Sequence, residues 1–277
     1  MAQMPTSFAG LSLDKSCIMG VINVTPDSFS DAGEVFTQEK AADRGWAMVQ
    51  AGANILDIGG ESTRPGAQEI SISEELDRII PVIESLREAS VVISVDTRHA
   101  EVMDAAIKAG AHIINDVTSL TGGPKSLEVA AELRCPVVLM HMQGDPKIMQ
   151  NKPKYDDAPS EVSAYLLGRI EACRGAGIER SQIAIDPGIG FGKSVKHNLQ
   201  ILNQIDCLHE HGCAIVLGVS RKSFIGTITN TKHPQDRLPG SLAAVIYARA
   251  KGVQIFRVHD VSETKQALDI FDHIQSI

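Results

Sequence analysis

Eight short apolar runs follow one another along the chain, and each ends in a polar residue and a loop. The first run ends at Asn23. The later runs end at Asp57, Asp96, Asn115 with Asp116, His141, Asp186, Ser220 and His259. Apolar runs of this length are typical of buried strands, and a helical pattern follows most of them. Eight such units predict an α/β fold of the (β/α)8 TIM barrel type, in which the polar residues at the strand ends meet at one mouth.

Hydrophobic periodicity and helix-ending residues set the bounds of the predicted elements. The strands after the first are predicted at residues 54–58, 91–95, 112–114, 137–140, 183–185, 214–219 and 253–258. Helices are predicted at residues 39–51, 160–174 and 241–250, the last as the long part of a split helix. Ser71 and Ser262 are predicted to cap two further helices. Alternation around Phe8, Leu11 and Leu13 predicts a β-hairpin that plugs the N-terminal end of the barrel.

Length and charge narrow the class of protein. A (β/α)8 barrel uses roughly 250 residues, so residues 1–277 are predicted to form a single domain. With 43% hydrophobic residues, the chain can bury a large core. The net charge of -8 argues against nucleic acid as a partner, because such binding normally needs a basic surface. An anionic ligand would therefore need local positive groups.

The cysteine content and the first residues of the chain indicate in which cell compartment the protein is expected. The five cysteines are odd in number and form no CxxC pair, which fits neither a disulfide framework nor a zinc site. The first residues lack the charged and apolar segments of a secretion signal. No apolar run approaches the ~18 residues of a membrane span. We therefore expect a cytoplasmic protein with reduced thiols and no contact with a membrane.

Three polar residues at predicted strand ends could bind the edge of a flat, nitrogen-rich ring: Asp96, Asn115 and Asp186. A carboxylate can accept two N–H bonds from an amidine-like or pyrimidine-like edge, and an Asn amide can both donate and accept. The alternative is that Asp96 and Asp186 only cap the helices that follow. Asp57 is predicted to belong to an internal polar network rather than to act in catalysis.

A second group of candidates is cationic and could bind phosphate. Arg64 lies in a glycine-rich stretch, residues 59–66, that is predicted to form an anion-binding lid. Lys222, Arg257 and His259 follow or lie within the last two predicted strands, where such barrels commonly hold phosphate. The alternative is a set of ordinary surface ion pairs. Arg257 favours the phosphate site over surface ion pairs, because a charge inside an apolar strand is costly unless it has a partner.

The glycines at 188, 190 and 192 could be taken for a dinucleotide signal, but the context of a Rossmann fold is missing. A backbone bend that lets a ligand approach closely fits this run better. His141 could be a ligand, whereas His112, inside a predicted strand, is predicted to be a hydrogen-bonded core residue.

Five motifs carry a resemblance to a known family. They lie at residues 23–31 (Asn-Val-Thr-Pro-Asp-Ser-Phe-Ser-Asp), 59–66 (Gly-Gly-Glu-Ser-Thr-Arg-Pro-Gly), 186–193 (Asp-Pro-Gly-Ile-Gly-Phe-Gly-Lys), 220–223 (Ser-Arg-Lys-Ser) and 257–260 (Arg-Val-His-Asp). Together they closely resemble the bacterial dihydropteroate synthase family, in order and over nearly the whole chain. The resemblance implies a TIM barrel that joins p-aminobenzoate to 7,8-dihydropterin-6-methyl diphosphate by dissociative substitution. The implied products are diphosphate and 7,8-dihydropteroate, a folate precursor.

The resemblance also implies a division of the pocket. Asn23 would hold a Mg2+ ion at the diphosphate, whose oxygens would contact Arg64, Arg257 and His259. The residues implied at the pterin are Thr63, Asp96, Asn115, Asp186, Lys222 and Arg257. Those implied at p-aminobenzoate are Phe29, Thr63, Pro65, Phe191 and Ser223. Catalysis would rest on Asp96, Lys222, Arg257 and His259.

Two other functions stay open at this stage. One is a methyltetrahydrofolate methyltransferase-like barrel, which resembles this family in its pterin-binding acids but has no reason to carry Arg64, Arg257 and His259. The other is a non-catalytic pterin-binding protein. The resemblance further implies sulfonamides as inhibitors and a homodimer formed through barrel helices.

Overall fold

The computed structural model describes residues 4–25, 38–62, 69–144 and 153–277. Its centre is a closed barrel of eight parallel strands, in which each strand pairs with the next along the chain and the last pairs with the first. The barrel strands are β3 (Cys17–Asn23), β4 (Ile55–Gly59), β5 (Val92–Asp96), β6 (Ile113–Asp116), β7 (Val137–Met140), β8 (Ile183–Asp186), β9 (Ala214–Leu217) and β10 (Ile255–Val258). The predicted (β/α)8 barrel is therefore confirmed.

Helices surround the barrel and alternate with its strands. They are α1 (Gln38–Gln50), α2 (Ile72–Leu86), α3 (Ala100–Ala109), α4 (Ser126–Leu133), α5 (Ala158–Gly175), α6 (Val195–Asn203), α7 (Ser223–Thr229), α8 (Leu238–Ala250) and α9 (Val261–Gln275). The predicted split helix is present as α7 and α8. Within the described ranges, none of the helices is both long enough and apolar enough to cross a membrane.

Two apolar clusters form the core. The larger joins the outward faces of the strands to the helices and includes Ile22, Leu56 and Ile83. The smaller fills the N-terminal end of the barrel with residues near the strand starts, among them Met19, Ile55, Ile113, Val138, Val216 and Ile255. Because apolar residues close this end, any ligand must enter at the other end, where the strands finish.

The N-terminal hairpin covers the closed end, as the sequence predicts. It consists of β1 (Ser7–Phe8) and β2 (Leu11–Ser12), which pair antiparallel. Phe8 and Leu13 are buried in the interior cluster. The hairpin is therefore a plug made of apolar side chains.

Strands β9 and β10 are each two residues shorter than predicted, because β9 ends at Leu217 and β10 begins at Ile255. Three predictions about helix starts and burial also differ from the structure. Ser262 does not cap the last helix, because α9 begins one residue before it, at Val261, with Asp260 in the N-cap position. Helix α5 begins at Ala158 rather than Ser160, because Pro159 fits the first helical turn, where no N–H donor is needed. His112 is exposed rather than buried, although its Nδ1 does accept a hydrogen bond from the Ile93 N–H.

Candidate active site

A row of paired residues brings the predicted site residues together at the open end of the barrel. In neighbouring strands, Asn23 lies opposite Gly59, Gly59 lies opposite Asp96, and Asp96 lies opposite Asn115. On the far side, Asp186 ends β8. Gly59 contributes no side chain to this row, and a Cβ there would lie 3.3 Å from the Asp96 Cβ. The glycine therefore leaves room for the carboxylate of Asp96.

Arg257 has the partners that its apolar strand requires. Its Nε donates to Asp57 Oδ2 at 2.6 Å, and its NH2 group donates to Asp96 Oδ2 at 2.6 Å. Asp57 is completely buried, so the cation and the two carboxylates form one shielded ionic group. Removing one member of such a group leaves a buried charge unpaired, which is costly.

Asp57 organises this network from below the mouth. Besides Arg257, its carboxylate accepts hydrogen bonds from Ser94 Oγ at 2.7 Å and from the Asn115 amide at 3.1 and 3.2 Å. A carboxylate only accepts, so the NH2 group of Asn115 must face Asp57 and its carbonyl oxygen must face elsewhere. Asn115 also lines the pocket, so its amide oxygen could accept a hydrogen bond from a ligand there. The predicted role of Asp57 in an internal polar network is thus what the geometry shows.

The pKa of Asp96 lies close to neutrality. Burial raises the pKa to about 7, Arg257 lowers it, and the carboxylates of Asp57, Asp116 and Glu75 raise it further. Arg257 itself has its pKa shifted upward, because the attraction of Asp57 and Asp96 outweighs the cost of burial. Asp96 can therefore respond to a change of charge in a bound ligand.

Asp186, at the end of β8, and Lys222, in the loop after β9, face the same pocket. Burial lowers the pKa of Lys222 to about 8, with Asp186 opposing the shift and Arg257 adding to it. Burial raises the pKa of Asp186, whose Oδ1 accepts a hydrogen bond from the Gly188 N–H at 2.7 Å. The Lys222 Nζ lies 4.1 Å from the centre of the Phe191 ring. This cation–π contact ties the loop after β8 to the loop after β9.

His259 stands beside this group at the end of β10. Its Nδ1 lies 3.0 Å from Ser220 Oγ. Burial and the nearby cations Arg257 and Arg221 lower the pKa of His259 to about 3, so the ring is neutral at physiological pH. Arg221 forms a two-contact ion pair with Asp260, which occupies its charge. Arg257 and Arg221, the two cations beside His259, are both paired with carboxylates, so an anion that binds here would share them with those carboxylates.

These side chains surround a pocket of about 360 Å3, a volume that includes the solvent at its mouth. The pocket is lined by the predicted Asp96, Asn115, Asp186, Phe191, Lys222 and Arg257. Gly188 and Ile189 also line the pocket, in the run for which the sequence predicts a bend that a ligand can approach. The remaining lining residues, Val117, Met140 and Gly218, are not among the residues that the sequence indicates. The apolar members suit the faces of a flat ring, while the polar members reach its edge. Apolar strand and loop residues look alike in sequence whether they face a core or a ligand, so no signal separates them.

Several predicted residues stand apart from this pocket or outside the described ranges. Asn23 is half-buried at the end of β3, and Ser223 is exposed at the first position of α7. Thr63, Arg64, Pro65 and Phe29 lie outside the described residues. His141 is buried behind the pocket, where its Nδ1 contacts Lys193 rather than the interior of the barrel mouth.

The fold and this pocket agree with one class of enzyme. The family model described as pterin binding enzyme matches residues 19–259, and the chain belongs to that family. The dihydropteroate synthase of Escherichia coli (strain K12) is 48% identical over 266 residues, which cover 95% of this chain and 94% of the relative. Within the family, this likeness places the chain among the dihydropteroate synthases, which are transferases.

Solved structures give the same result. The dihydropteroate synthase of Xanthomonas albilineans with 4-aminobenzoic acid is 47% identical, covers 96% of both chains and superposes with a TM-score of 0.91. The dihydropteroate synthase of Yersinia pestis in a sulfonamide drug complex is 45% identical, covers all of both chains and superposes with a TM-score of 0.92. The barrel fold is therefore shared with these enzymes.

Proposed function

We propose that the chain joins p-aminobenzoate to 7,8-dihydropterin-6-methyl diphosphate, releasing diphosphate and forming 7,8-dihydropteroate for folate synthesis. The observation that carries the proposal is the buried group of Arg257, Asp57 and Asp96 at the wall of the pocket. This group combines a cation that can bind a leaving phosphate with a carboxylate that can stabilise a positive ring. A protein that only holds a pterin has no leaving group for the cation to bind and no ring cation for the carboxylate to stabilise.

The pterin would lie in the pocket with its faces against the apolar lining. Its edge would donate to the carboxylate of Asp186 and to the amide oxygen of Asn115, while Lys222 would donate to a ring acceptor. Both acceptors are oriented by hydrogen bonds to their own chain, Asp186 by Gly188 and Asn115 by Asp57. Such fixed acceptors select a ligand whose donors match their positions.

The diphosphate would bind at Arg257 and His259, with Arg64 as a third contact. Asn23 suits a Mg2+ ion that arrives with the substrate, because Mg2+ often takes one or two protein oxygens and completes its shell with phosphate and water. Bound there, the ion would neutralise the leaving group. Asn23 offers a side-chain oxygen at a strand end of the same mouth, half-buried.

The reaction would proceed by loss of diphosphate before attack. As the C–O bond breaks, its electron pair leaves with the diphosphate and positive charge spreads into the pterin ring. Asp96 would stabilise that charge, and the aromatic amine would then attack the methylene carbon and lose a proton. The p-aminobenzoate would lie at the mouth, against Phe191 and Ser223 and against Phe29, Thr63 and Pro65. Sulfonamides would compete there.

The chain is proposed to act as a homodimer in the cytoplasm. Large apolar side chains are exposed on three successive helices: Leu199 on α6, Ile228 on α7 and Tyr247 on α8. These helices contact each other in order, and an apolar patch that extends across neighbouring helices is often covered by another subunit. Size-exclusion chromatography with light scattering measures the mass: a single chain mass at micromolar concentration would contradict the dimer.

One experiment tests the reaction. Purified protein is incubated with both substrates and Mg2+, and diphosphate and dihydropteroate are measured together, with each substrate omitted in turn as control. The expected result is equal amounts of the two products only when both substrates are present. Pterin binding without diphosphate release would instead indicate a non-catalytic binder, and no binding at all would overturn the assignment.

A further inference from the structure

Lys193 is a buried ammonium group that the proposed reaction does not use. Its side chain is 3% exposed, and it does not line the pocket. The Nζ atom has four acceptors: His141 Nδ1 at 2.9 Å and the carbonyl oxygens of His141 at 3.2 Å, Gly188 at 2.9 Å and Phe191 at 2.9 Å. A buried cation is costly unless its protons are satisfied. Here they are satisfied by two loops, the one after β7 and the one after β8.

The pairing with His141 fixes the state of that ring. Burial and the adjacent Lys193 charge lower the pKa of His141 to about 3, so the imidazole is neutral. Since Nδ1 faces a donor, the ring proton must lie on Nε2. Burial also lowers the pKa of Lys193, to about 7, and Asp186 opposes that shift while Lys222 adds to it.

The two loops touch along their backbones. Gly188 and Gly192 have φ angles of +67° and +62°, and a Cβ on either would overlap a carbonyl oxygen of the other loop, that of His141 or of Gln143. Glycine is required at such positions because other side chains would clash and strain the backbone. Lys193 therefore donates hydrogen bonds where the two loops already lie in contact. The glycines allow this contact, so that the Lys193 Nζ reaches carbonyl oxygens on both loops.

The loop after β8 carries functional groups in the proposed site. Phe191 supplies the ring over Lys222, and its carbonyl is one of the four acceptors of Lys193. Gly188 donates to Asp186 through its N–H and accepts from Lys193 through its carbonyl. On the other side of the bend, the Gly190 N–H donates to Asn198 Oδ1 at 2.8 Å. The backbone that carries Phe191 is thus held on both sides, because the Phe191 N–H donates to the Gly188 carbonyl at 3.1 Å and the Phe191 carbonyl accepts from Lys193.

We propose that Lys193 is a positioning residue for p-aminobenzoate: with His141 as its partner, it holds the loop of residues 188–192 so that Phe191 forms the wall of the second-substrate site. This inference rests on the function proposed above. It predicts a selective effect, because Phe191 lies in the loop itself and its own carbonyl is bonded to Lys193. The polar pterin residues Asp96, Asn115 and Asp186 belong instead to strands β5, β6 and β8. Loss of Lys193 should therefore misplace the Phe191 wall more than the pterin site.

The test compares Lys193→Met with Lys196→Met. Met has a similar length but no donor, and Lys196 is an exposed lysine three residues further on, in α6. In Lys193→Met, the KM for p-aminobenzoate is expected to rise by about tenfold or more, since misplacement by about 1 Å can cost up to about 100-fold. The KM for the pterin diphosphate should change by less than about threefold, and Lys196→Met should match the wild type in both.

Two further variants keep the test decisive if Lys193→Met does not fold. Lys193→Gln retains amide donors and should raise the KM for p-aminobenzoate less, while His141→Phe removes one acceptor and should raise it with the same selectivity. Circular dichroism and the binding of 6-hydroxymethylpterin show that each variant is folded. A folded variant with unchanged KM for p-aminobenzoate overturns the proposal, as does an equal rise for both substrates, which indicates general loosening. If the wild type releases no diphosphate, the proposed function fails instead.

Discussion

At the residue scale, the charge on Asp96 is the quantity most sensitive to its surroundings. Burial and three neighbouring carboxylates favour the protonated acid, and only Arg257 favours the carboxylate, so its pKa settles at about 7. The ionised form therefore grows as the pH rises through neutrality. If this carboxylate stabilises the ring cation, the reaction must become faster over the same range.

The first prediction concerns Asp96→Asn. Turnover should fall by about 100- to 1,000-fold, the usual loss for one electrostatic group of this kind, while pterin affinity changes far less. In the wild type, kcat/KM for the pterin diphosphate should rise with pH around 7, because kcat/KM reports the pKa of the free enzyme, and in the variant that rise should disappear. Steady-state kinetics from pH 6 to 8, with pterin affinity by calorimetry, measure both. Near-normal turnover in the variant would remove Asp96 from the mechanism.

The second prediction concerns protons taken up at His259. In the free protein its pKa is about 3, because burial and the cations Arg257 and Arg221 oppose a second positive charge. A bound diphosphate neutralises those cations, so the pKa of His259 should rise and the ring should take up a proton at any pH between the two values. Calorimetry of inorganic diphosphate in two buffers of different ionisation heat counts those protons. Wild type should take up more than His259→Gln, and equal uptake would contradict the expected rise in pKa.

At the element scale, the strands and helices could be predicted because each has a local signal. Helix α1 ends before Gly52 and α3 before Gly110, whose φ angles of +96° and +120° suit glycine. Ser71 caps α2 by accepting from the Glu74 N–H. The prediction failed at Ser262 because the chain offers Asp260 two residues earlier, and its carboxylate is engaged by Arg221 rather than by the helix. Which of two polar residues lies at the start of a helix can depend on a partner from another part of the chain, here Arg221.

The third prediction compares two glycines with opposite roles. Gly188→Ala should destabilise the fold by roughly 2 kcal/mol or more, because the new methyl group would strain a positive φ and meet the His141 carbonyl. Gly168→Ala should stabilise it by about 0.5–1 kcal/mol, because Gly168 lies inside α5 with open space around its Cβ position. Urea unfolding measures both. A tolerated alanine at position 188 would show that the two loops are not in tight contact.

At the scale of the whole molecule, barrel closure creates what no single stretch of sequence contains. Arg257 reaches Asp57, 200 positions away along the chain, and Asp96, 161 positions away. The sequence could predict that Arg257 needs a partner, but not that Asp57 would be shared among Arg257, Ser94 and Asn115. Lys193 was likewise hidden, because nothing in its neighbours along the chain indicates burial against His141, 52 positions away. Local patterns predicted where the strands end. Which of the side chains at those ends bond to one another is determined only by the closed barrel.

The fourth prediction separates the two ends of the barrel. Phe8 is 2% exposed and packs with Leu13 against the strand starts, whereas the pocket lies at the strand ends. Phe8→Ala should therefore lower the free energy of unfolding by about 3 kcal/mol through lost apolar contacts and a cavity. Both KM values should stay within about twofold of the wild type, since this end of such barrels serves stability.

Met4→Ala is the matched control for that experiment, because Met4 lies in the same N-terminal segment but is 42% exposed. Its loss should cost less than about 1 kcal/mol, as expected for a surface substitution. Urea unfolding and steady-state kinetics are measured on both variants at a temperature where both are folded. If Phe8→Ala raised either KM several-fold while remaining folded, the plug and the pocket would be coupled through the barrel interior. In that case the polar layer of Asp57, Ser94 and Asn115, which lies between them, would be the path of the coupling.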